Sequence, residues 1–238
     1  MCTVTFLPTV ENNFILTSSR DEHKERKLAL APRKYNVNGQ SVFFPKDTQA
    51  GGTWIATSNN HFTLCLLNGA FQKHTPTGSY KLSRGLVLLD FFQFNNIEAF
   101  SSQYDFLGIE PFTLLIIDSS AGLQVHELIW DGIKLHQSQK DETKPSIWSS
   151  VTLYNAEVIA QREEWFKIWL AENKNYGLDQ IRQFHQVGGT GNKTNDVLMS
   201  REDRMLTVSI TSIRQSTEGI YMQYKDVQEN KEVNIRIM

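Results

Sequence analysis

The chain has 238 residues, of which 40% are hydrophobic and 21% are charged, and its formal net charge at pH 7 is -2. This composition supports a packed core and excludes an intrinsically disordered chain. The small negative charge leaves no basic surplus for phosphate groups, so no nucleic-acid partner is expected. Charged residues such as Arg84, Asp90 and Asp118 interrupt the long apolar runs, so no membrane span is expected either.

Length and cysteine usage indicate one domain in a reducing compartment. A chain of 238 residues is within the range of one large domain, and we predict a single domain over residues 1–238. Residues 1–8 lack the basic and apolar regions of a signal peptide. The two cysteines, Cys2 and Cys65, cannot form a disulfide framework. We therefore expect a cytoplasmic protein, and the sequence leaves its oligomeric state open.

The first half of the chain carries β-prone runs separated by polar turns. These runs predict strands at residues 2–7, 14–19, 53–57 and 61–68. Residues 21–40 are charged, contain Pro32 and have no clean period, which predicts an exposed loop that carries at most a short element. Apolar residues three and four positions apart predict a helix over residues 80–94. A short second helix is predicted over residues 96–101, capped by Asn95 or Asn96.

The second half returns to strands, then helices, then strands. The patterns predict strands at residues 112–117, 123–130 and 133–137, helices at 155–173 and 177–187, and strands at 205–213, 219–225 and 232–238. In the helix over residues 155–173, the predicted buried face contains Val158, Trp165, Ile168 and Trp169. The order has no regular βαβ alternation, which favours the α+β class over a doubly wound sheet.

Cys2 is the strongest candidate for chemistry. A small second residue permits removal of Met1, which would leave a thiol and a free α-amine on one residue. The amine titrates at about 7.7 to 8.0 and a thiol at about 8.5, so part of the amine is unprotonated near neutral pH and can act as the local base. The alternative is that Cys2 is an ordinary small residue of a strand.

Three further polar residues come at the ends of predicted strands. Arg20 and Asp21 follow the second strand, where a hairpin would bring them near the N-terminus. An arginine there can favour a thiolate, and an aspartate can orient an ammonium group. Asn68 ends an apolar strand before Gly69, which suits a donor to an oxyanion. The alternatives are a surface ion-pair cluster for Arg20 and Asp21, and an ordinary turn residue for Asn68.

In combination these segments resemble the NRDE family, whose members are called transport and Golgi organisation proteins. The resemblance rests on the order of Met-Cys-Thr-Val at the start, Ser-Arg-Asp-Glu at residues 19–22, Gly-Gly-Thr-Trp at 51–54 and Leu-Leu-Asn at 66–68. It continues through Trp-Ser-Ser at 148–150 and Thr-Val-Ser-Ile-Thr at 207–211, and so covers essentially the whole chain. Ser19 departs from the pattern, because the family name has Asn there.

The resemblance implies an N-terminal-nucleophile (Ntn) hydrolase fold within the α+β class. This fold is a four-layer αββα sandwich with mostly antiparallel sheets, and the family is similar to penicillin acylases, bile-salt hydrolases and the acyltransferases of penicillin biosynthesis. The resemblance further implies Cys2 as the nucleophile, Arg20 and Asp21 as its partners, and Asn68 as an oxyanion donor.

A later arginine should complete the implied site. Both Arg201 and Arg204 fit that place, and one sequence does not decide between them. The other residues expected to bind substrate are Trp54, Ser149 and Ser150. One of the two serines stands where bile-salt hydrolases carry a second oxyanion asparagine.

No metal and no cofactor is expected, because the six histidines are scattered and neither His-Glu-x-x-His nor Cys-x-x-Cys occurs. Residues 188–195 are glycine-rich but lack the features of a phosphate-binding loop, so we predict a mobile loop near the pocket. The leading hypothesis is a hydrolase that cleaves a non-peptide acyl-amide bond of a small-molecule substrate after removal of Met1. The alternative is a non-catalytic carrier or trafficking protein that binds a small hydrophobic ligand or cofactor.

Overall fold

The computed structural model describes residues 3–59, 61–202 and 204–238. In chain order the elements are β1 (Thr3–Thr9), β2 (Asn13–His23), β3 (Leu30–Val37), β4 (Gln40–Lys46), β5 (Ile55–Ser58), β6 (Phe62–Asn68), α1 (Arg84–Phe94), α2 (Ile97–Gln103), β7 (Phe112–Asp118), β8 (Gln124–Trp130), β9 (Leu135–Lys140), β10 (Ser146–Ser149), α3 (Ala156–Glu172), α4 (Leu178–Val187), β11 (Met205–Ser216), β12 (Gly219–Asp226) and β13 (Lys231–Arg236). They form two compact units. Unit 1 combines Met1–Arg26 with Thr143–Met238, and unit 2 is Lys27–Glu142. The single domain over residues 1–238 stays a prediction.

Unit 1 is built on a six-stranded antiparallel sheet with the strand order β10-β1-β2-β11-β12-β13. The hairpin that the sequence predicts is present as β1 and β2. One face of the sheet carries Leu7 and Ile15, which pack with Phe166 of α3 and Phe184 of α4. Helices α3 and α4 therefore cover this face, which we call the helix-covered face.

Helix α3 begins where the sequence predicts, because the Asn155 side chain accepts a hydrogen bond from the backbone N–H of Val158. Its buried residues are Val158, Arg162 and Phe166, each four positions from the next. The predicted buried face is wrong in part, since Ile168 is 47% exposed. The reason is that an arginine occupies the middle of the buried stripe, so a pattern of apolar residues alone misplaces it.

Unit 2 is a seven-stranded antiparallel sheet whose strands follow chain order from β3 to β9. Helices α1 and α2 contribute Phe91 and Phe100 to the core that packs on this sheet. The side chain of Asn96 accepts a hydrogen bond from the backbone N–H of Ala99 at 2.7 Å and caps α2. Of the two predicted capping residues, Asn96 rather than Asn95 begins the helix.

The prediction of an exposed loop over residues 21–40 is wrong. Strand β2 continues to His23, and β3 follows it. Pro32 lies where the register of β3 shifts, between Leu30 and Arg33, and β3 is an edge strand. A residue without an N–H donor is tolerated at such a place, which the composition of the segment did not reveal.

Strands β4 and β10 were not predicted either. β10 has only four residues, and it is stabilised by pairing with β1. The α+β class with mostly antiparallel sheets is confirmed by the two sheets and their helices. Within the part of the chain that the structure describes, no helix has both the length and the apolar character needed to cross a membrane.

Candidate active site

Arg20 and Asp21 lie near the end of β2, beside the start of β1. The pairing of the two strands places Thr3 opposite Ser19. Arg20 and Asp21 are the next two residues of β2 after this pair. Successive residues of a strand face opposite sides of the sheet. Asp21 and Arg20 therefore belong to different faces, although both are buried.

A β-bulge in β11 accompanies these two residues. The pairing with β2 shifts between Thr207 and Ser209, so that Thr207 is opposite Asp21 and Ser209 is opposite Arg20. The Thr207 hydroxyl donates to Oδ1 of Asp21 at 2.5 Å, and the Tyr154 hydroxyl donates to Oδ2 at 2.6 Å. Asp21 is only 2% exposed, so both carboxylate oxygens are held inside unit 1.

Tyr154 reaches Asp21 because a tight turn follows β10. The carbonyl oxygen of Ser150 accepts a hydrogen bond from the backbone N–H of Tyr154 at 3.1 Å. Ser150 is buried, and Ser149 is opposite Thr3 in the pairing of β10 with β1. The structure therefore brings Ser149 to the start of β1, whereas Ser150 belongs to the turn that carries Tyr154.

Arg20 lies on the face of the sheet that α3 and α4 do not cover. It is 4% exposed, and its guanidinium group is 3.2 Å from the Glu22 carboxylate. On the same sheet, burial and the charge of Asp226 raise the pKa of Tyr224 to about 12, and the positive charge of Arg20 acts in the opposite direction. Arg20 is thus a buried cation, and its half-buried partner Glu22 also lies 3.7 Å from the guanidinium group of Arg26.

The two candidate arginines are placed differently. The Arg201 guanidinium donates to the carbonyl oxygen of Leu153 at 3.2 Å, and its Cζ is 5.3 Å from the centre of the Tyr154 ring. Arg204 has a φ of 68°, and its side chain, which is 63% exposed, forms an ion pair with Glu25. Of the two arginines, Arg201 is the one beside the tyrosine of the site.

A fully buried histidine lies on the helix-covered face. Nδ1 of His185 is 2.7 Å from Oγ of Ser19, and Nε2 is 2.8 Å from Oγ1 of Thr5. Burial, together with the charges of Arg162 and Arg182, lowers the pKa of His185 to about 3. The imidazole is therefore neutral, and one ring nitrogen donates while the other accepts.

In unit 2, Asn68 is the last residue of β6 and is half-buried. Gly69 follows with a φ of 89°, and its N–H donates to the carbonyl oxygen of Pro111 at 3.0 Å. Trp54 is 3% exposed and lies just before β5. Cys65 is fully buried within β6.

Cys2, the predicted nucleophile, lies outside the described residues, as does Met1. Among residues 3–59, 61–202 and 204–238, no three His, Cys, Asp or Glu side chains are grouped as metal ligands.

Sequence reasoning missed three residues of this arrangement, namely Tyr154, Arg162 and His185. An arginine in the middle of an otherwise apolar helix stripe was the available signal for Arg162. Tyr154 comes from an irregular segment and His185 from a short helix, and neither has a local pattern that indicates its partners.

The family model described as Transport and Golgi organisation 2 matches residues 1–230. A sequence comparison with curated proteins finds no match. A mutant of the conjugated bile acid hydrolase from Clostridium perfringens has a similar structure, with a TM-score of 0.62 at 13% identity over 100% of this chain and 92% of that one.

Two other solved structures are similar over most of their length. The penicillin V acylase from Agrobacterium tumefaciens has a TM-score of 0.53 at 11% identity, over 99% of this chain and 86% of that one. A Caenorhabditis elegans ortholog of N-acylethanolamine-hydrolyzing acid amidase has a TM-score of 0.53 at 11% identity, over 89% of this chain and 92% of that one. At these identities the likeness concerns the fold alone, which is similar to Ntn-hydrolase folds.

Proposed function

Because this chain belongs to the Transport and Golgi organisation 2 family and has an Ntn-hydrolase-like fold, we propose that it is an N-terminal cysteine hydrolase of a non-peptide acyl-amide bond. Cys2 is the proposed nucleophile, and it becomes the first residue when Met1 is removed. The observation that carries the proposal is the buried Asp21 carboxylate, which two hydroxyl donors hold beside the start of β1. The NRDE interpretation of residues 19–22 is part of the same proposal.

A buried carboxylate suits a catalytic amine at this end of the strand. After Met1 is removed, the α-amine and the thiol of Cys2 belong to the residue directly before Thr3. A neighbouring carboxylate stabilises and orients an ammonium group. One residue then supplies both the nucleophile and its base.

In the proposed reaction the α-amine takes the thiol proton while the sulfur attacks the carbonyl carbon. The C–S bond forms, and the negative charge develops on oxygen, to which Asn68 is the proposed hydrogen-bond donor. The C–N bond then breaks, the leaving amine takes the proton from the ammonium group, and a thioester remains on Cys2. A water molecule then gives a proton to the amine while its oxygen attacks the thioester carbon. The C–S bond breaks, the acid is released, and the ammonium group returns the proton to the Cys2 thiolate.

The other predicted residues have proposed supporting roles. Arg201 is the proposed later arginine, since it lies against Tyr154. Arg20 is the proposed cation that favours the thiolate. Ser149 and Trp54 are the proposed substrate-binding residues.

The names of similar proteins supply a panel of substrates. These proteins are, by name, a conjugated bile acid hydrolase, a penicillin V acylase and an N-acylethanolamine-hydrolyzing acid amidase, and their named substrates are all acyl amides. The solved structure of the bile acid hydrolase is of a mutant in which alanine replaces a cysteine at position 2, so that hydrolase also has a cysteine at its second position. We propose that this chain takes a substrate of the same chemical class.

The test uses untagged protein and two cysteine variants. Intact mass first establishes whether Met1 is removed. The protein then reacts with p-nitrophenyl acetate, which transfers an acetyl group to a nucleophile, and with the three amides. We expect Cys2→Ala to abolish acyl transfer, whereas the matched variant Cys65→Ala retains it because Cys65 is buried in β6.

Undiminished acylation of the Cys2→Ala variant would remove Cys2 as the nucleophile. A chain that keeps Met1 in its native host would lack the proposed base, and the carrier hypothesis would then replace the hydrolase.

A further inference from the structure

Arg162 is a fully buried cation in the middle of α3. An arginine stays protonated inside proteins, and an uncompensated buried charge is costly. No carboxylate among the described residues forms an ion pair with Arg162. Its guanidinium group is instead satisfied by neutral oxygen acceptors and by an aromatic ring.

Each nitrogen of the guanidinium group has a different acceptor. Nη1 donates to the Thr3 hydroxyl, Nε donates to the carbonyl oxygen of Asn195 at 3.1 Å, and Nη2 donates to that of Asp196 at 2.5 Å. The first contact fixes the start of β1, and the other two fix the end of the glycine-rich segment that follows α4. This segment was predicted to be a mobile loop near the pocket, and Arg162 holds its end to the sheet.

A fourth contact connects Arg162 with the carboxylate. Its Cζ lies 3.8 Å from the centre of the Tyr154 ring, a distance at which a cation is attracted by the ring face. The hydroxyl of the same tyrosine donates to Asp21. Arg162 thus contacts both the residue that follows Cys2 in the chain and the residue that holds Asp21.

We infer that Arg162 is a positioning residue, which fixes the distance between the N-terminal amine and the Asp21 carboxylate by holding Thr3 and Tyr154 at once. The inference rests on the proposed function in so far as that amine belongs to Cys2. The planar fork of arginine is essential to it, because a lysine ammonium group in the same place cannot reach several acceptors in fixed directions.

The experiment measures the rate of Cys2 alkylation by iodoacetamide as a function of pH. All variants carry Cys65→Ala, so that Cys2 is the only thiol. We expect Arg162→Met to raise the apparent pKa of alkylation by about one pH unit, because the ammonium group that favours the thiolate is no longer held in place. Alkylation at pH 7 should fall about tenfold with it. Arg162→Lys keeps the charge but not the planar fork, so it should also raise the apparent pKa. A parental profile for Arg162→Lys would mean that the charge alone matters, and it would overturn the positioning role.

Arg182→Met is the matched control for lost stability. Arg182 is also a buried arginine under the same sheet, but its contacts are with Ser212, Gln223 and Glu232. We expect its pH profile to match that of the parent. Equal profiles for Arg162→Met, Arg182→Met and the parent would overturn the inference.

Tyr154→Phe keeps the test decisive if Arg162→Met does not fold. Loss of the hydroxyl removes the contact with Asp21, while the aromatic ring remains in contact with Arg162. We expect Tyr154→Phe to shift the apparent pKa of alkylation. In the double variant with Arg162→Lys, the shift should differ from the sum of the two single shifts. Additive effects would contradict the inference. Alkylation of Cys2 does not require amide hydrolysis, so the two proposals can fail separately. A shifted pH profile without turnover of any amide would refute only the proposed function. Turnover of an amide with an unshifted pH profile would refute only the positioning role.

Discussion

Ser19, the first residue of the Ser-Arg-Asp-Glu sequence, forms a hydrogen bond through its hydroxyl with Nδ1 of the buried His185 at 2.7 Å. The other ring nitrogen of His185 forms a hydrogen bond with the hydroxyl of Thr5 in β1. The histidine therefore joins the two strands that carry the start of the chain and Asp21. Ser19 thus has a hydrogen-bonding role of its own in this structure.

We predict that Ser19→Ala lowers the free energy of unfolding by about 1–3 kcal/mol, because the buried imidazole loses one partner and its nitrogen stays unsatisfied. Urea unfolding followed by tryptophan fluorescence measures the change. Ser120→Ala, at an exposed turn, is the matched control and should change stability by less than about 0.5 kcal/mol. Similar free energies of unfolding for the two variants would mean that the Ser19 hydrogen bond does not contribute to stability.

The low pKa of His185 predicts a loss of stability in acid. Its pKa is lowered from 6.5 to about 3 in the folded protein, so between these values the unfolded chain binds a proton that the folded chain does not. The free energy of unfolding should therefore fall as the pH falls through this window, by up to about 1.4 kcal/mol per pH unit from this residue. Above pH 6.5 the contribution is fully present.

The comparison of His185→Asn with the parent isolates this effect. The variant lacks the imidazole, so its unfolding free energy should depend less steeply on pH between 6 and 4. His61→Asn removes a histidine from an exposed turn and should keep the parent slope. If His185→Asn has the parent slope as well, other groups cause the acid sensitivity.

The sequence predicted the local elements of this fold better than its edges. Helix α3 was predicted because Asn155 is a good cap and the pattern after it is helical. Strand β3 was missed because its charged composition and Pro32 hide an edge strand that is stabilised by pairing with β4. Such pairing is a tertiary effect that no local pattern contains.

The same distinction applies to the candidate site. Arg20 and Asp21 could be selected because they come directly after Ser19, the residue of β2 that pairs with Thr3 at the start of β1. Tyr154 is 133 residues from Asp21 in sequence, and it depends on the pairing of the short strand β10 with β1. Arg162 is 159 residues from Thr3. Contacts of this range require the fold itself, and a resemblance carries them only for residues within shared motifs.

The contrast between Arg201 and Arg204 leads to a paired prediction. Arg204→Ala removes an exposed ion pair with Glu25, which contributes about 0.2–1 kcal/mol, and it should leave Cys2 acylation unchanged. Arg201→Ala removes the cation beside Tyr154 and the bonds to Leu153, and should lower the acylation rate about tenfold or more. The p-nitrophenol release assay measures both rates, and a larger effect of Arg204→Ala would reverse the assignment.

The Thr207 hydroxyl can be tested by a shape-conserving substitution. It donates to Asp21 and accepts from the backbone N–H of Met199 at 2.9 Å. Thr207→Val keeps the side-chain shape but removes both bonds, and it should lower the free energy of unfolding by about 1–3 kcal/mol. Thr207→Ser keeps the hydroxyl and should cost less than about 1.5 kcal/mol. The order of the two variants in urea unfolding is the decisive result, and a less stable Thr207→Ser would contradict the proposed contact energy.

Asn68 can be tested by comparing two reactions of the same thiol. Acyl transfer from p-nitrophenyl acetate passes through a tetrahedral oxyanion, whereas alkylation by iodoacetamide does not. If Asn68 donates to that oxyanion, Asn68→Ala should slow acylation about 10²–10³-fold and leave alkylation within about twofold of the parent rate. Asn36→Ala, in the exposed edge strand β3, is the control and should change neither rate. Equal slowing of both reactions by Asn68→Ala would show that the asparagine affects the thiol itself and not the oxyanion.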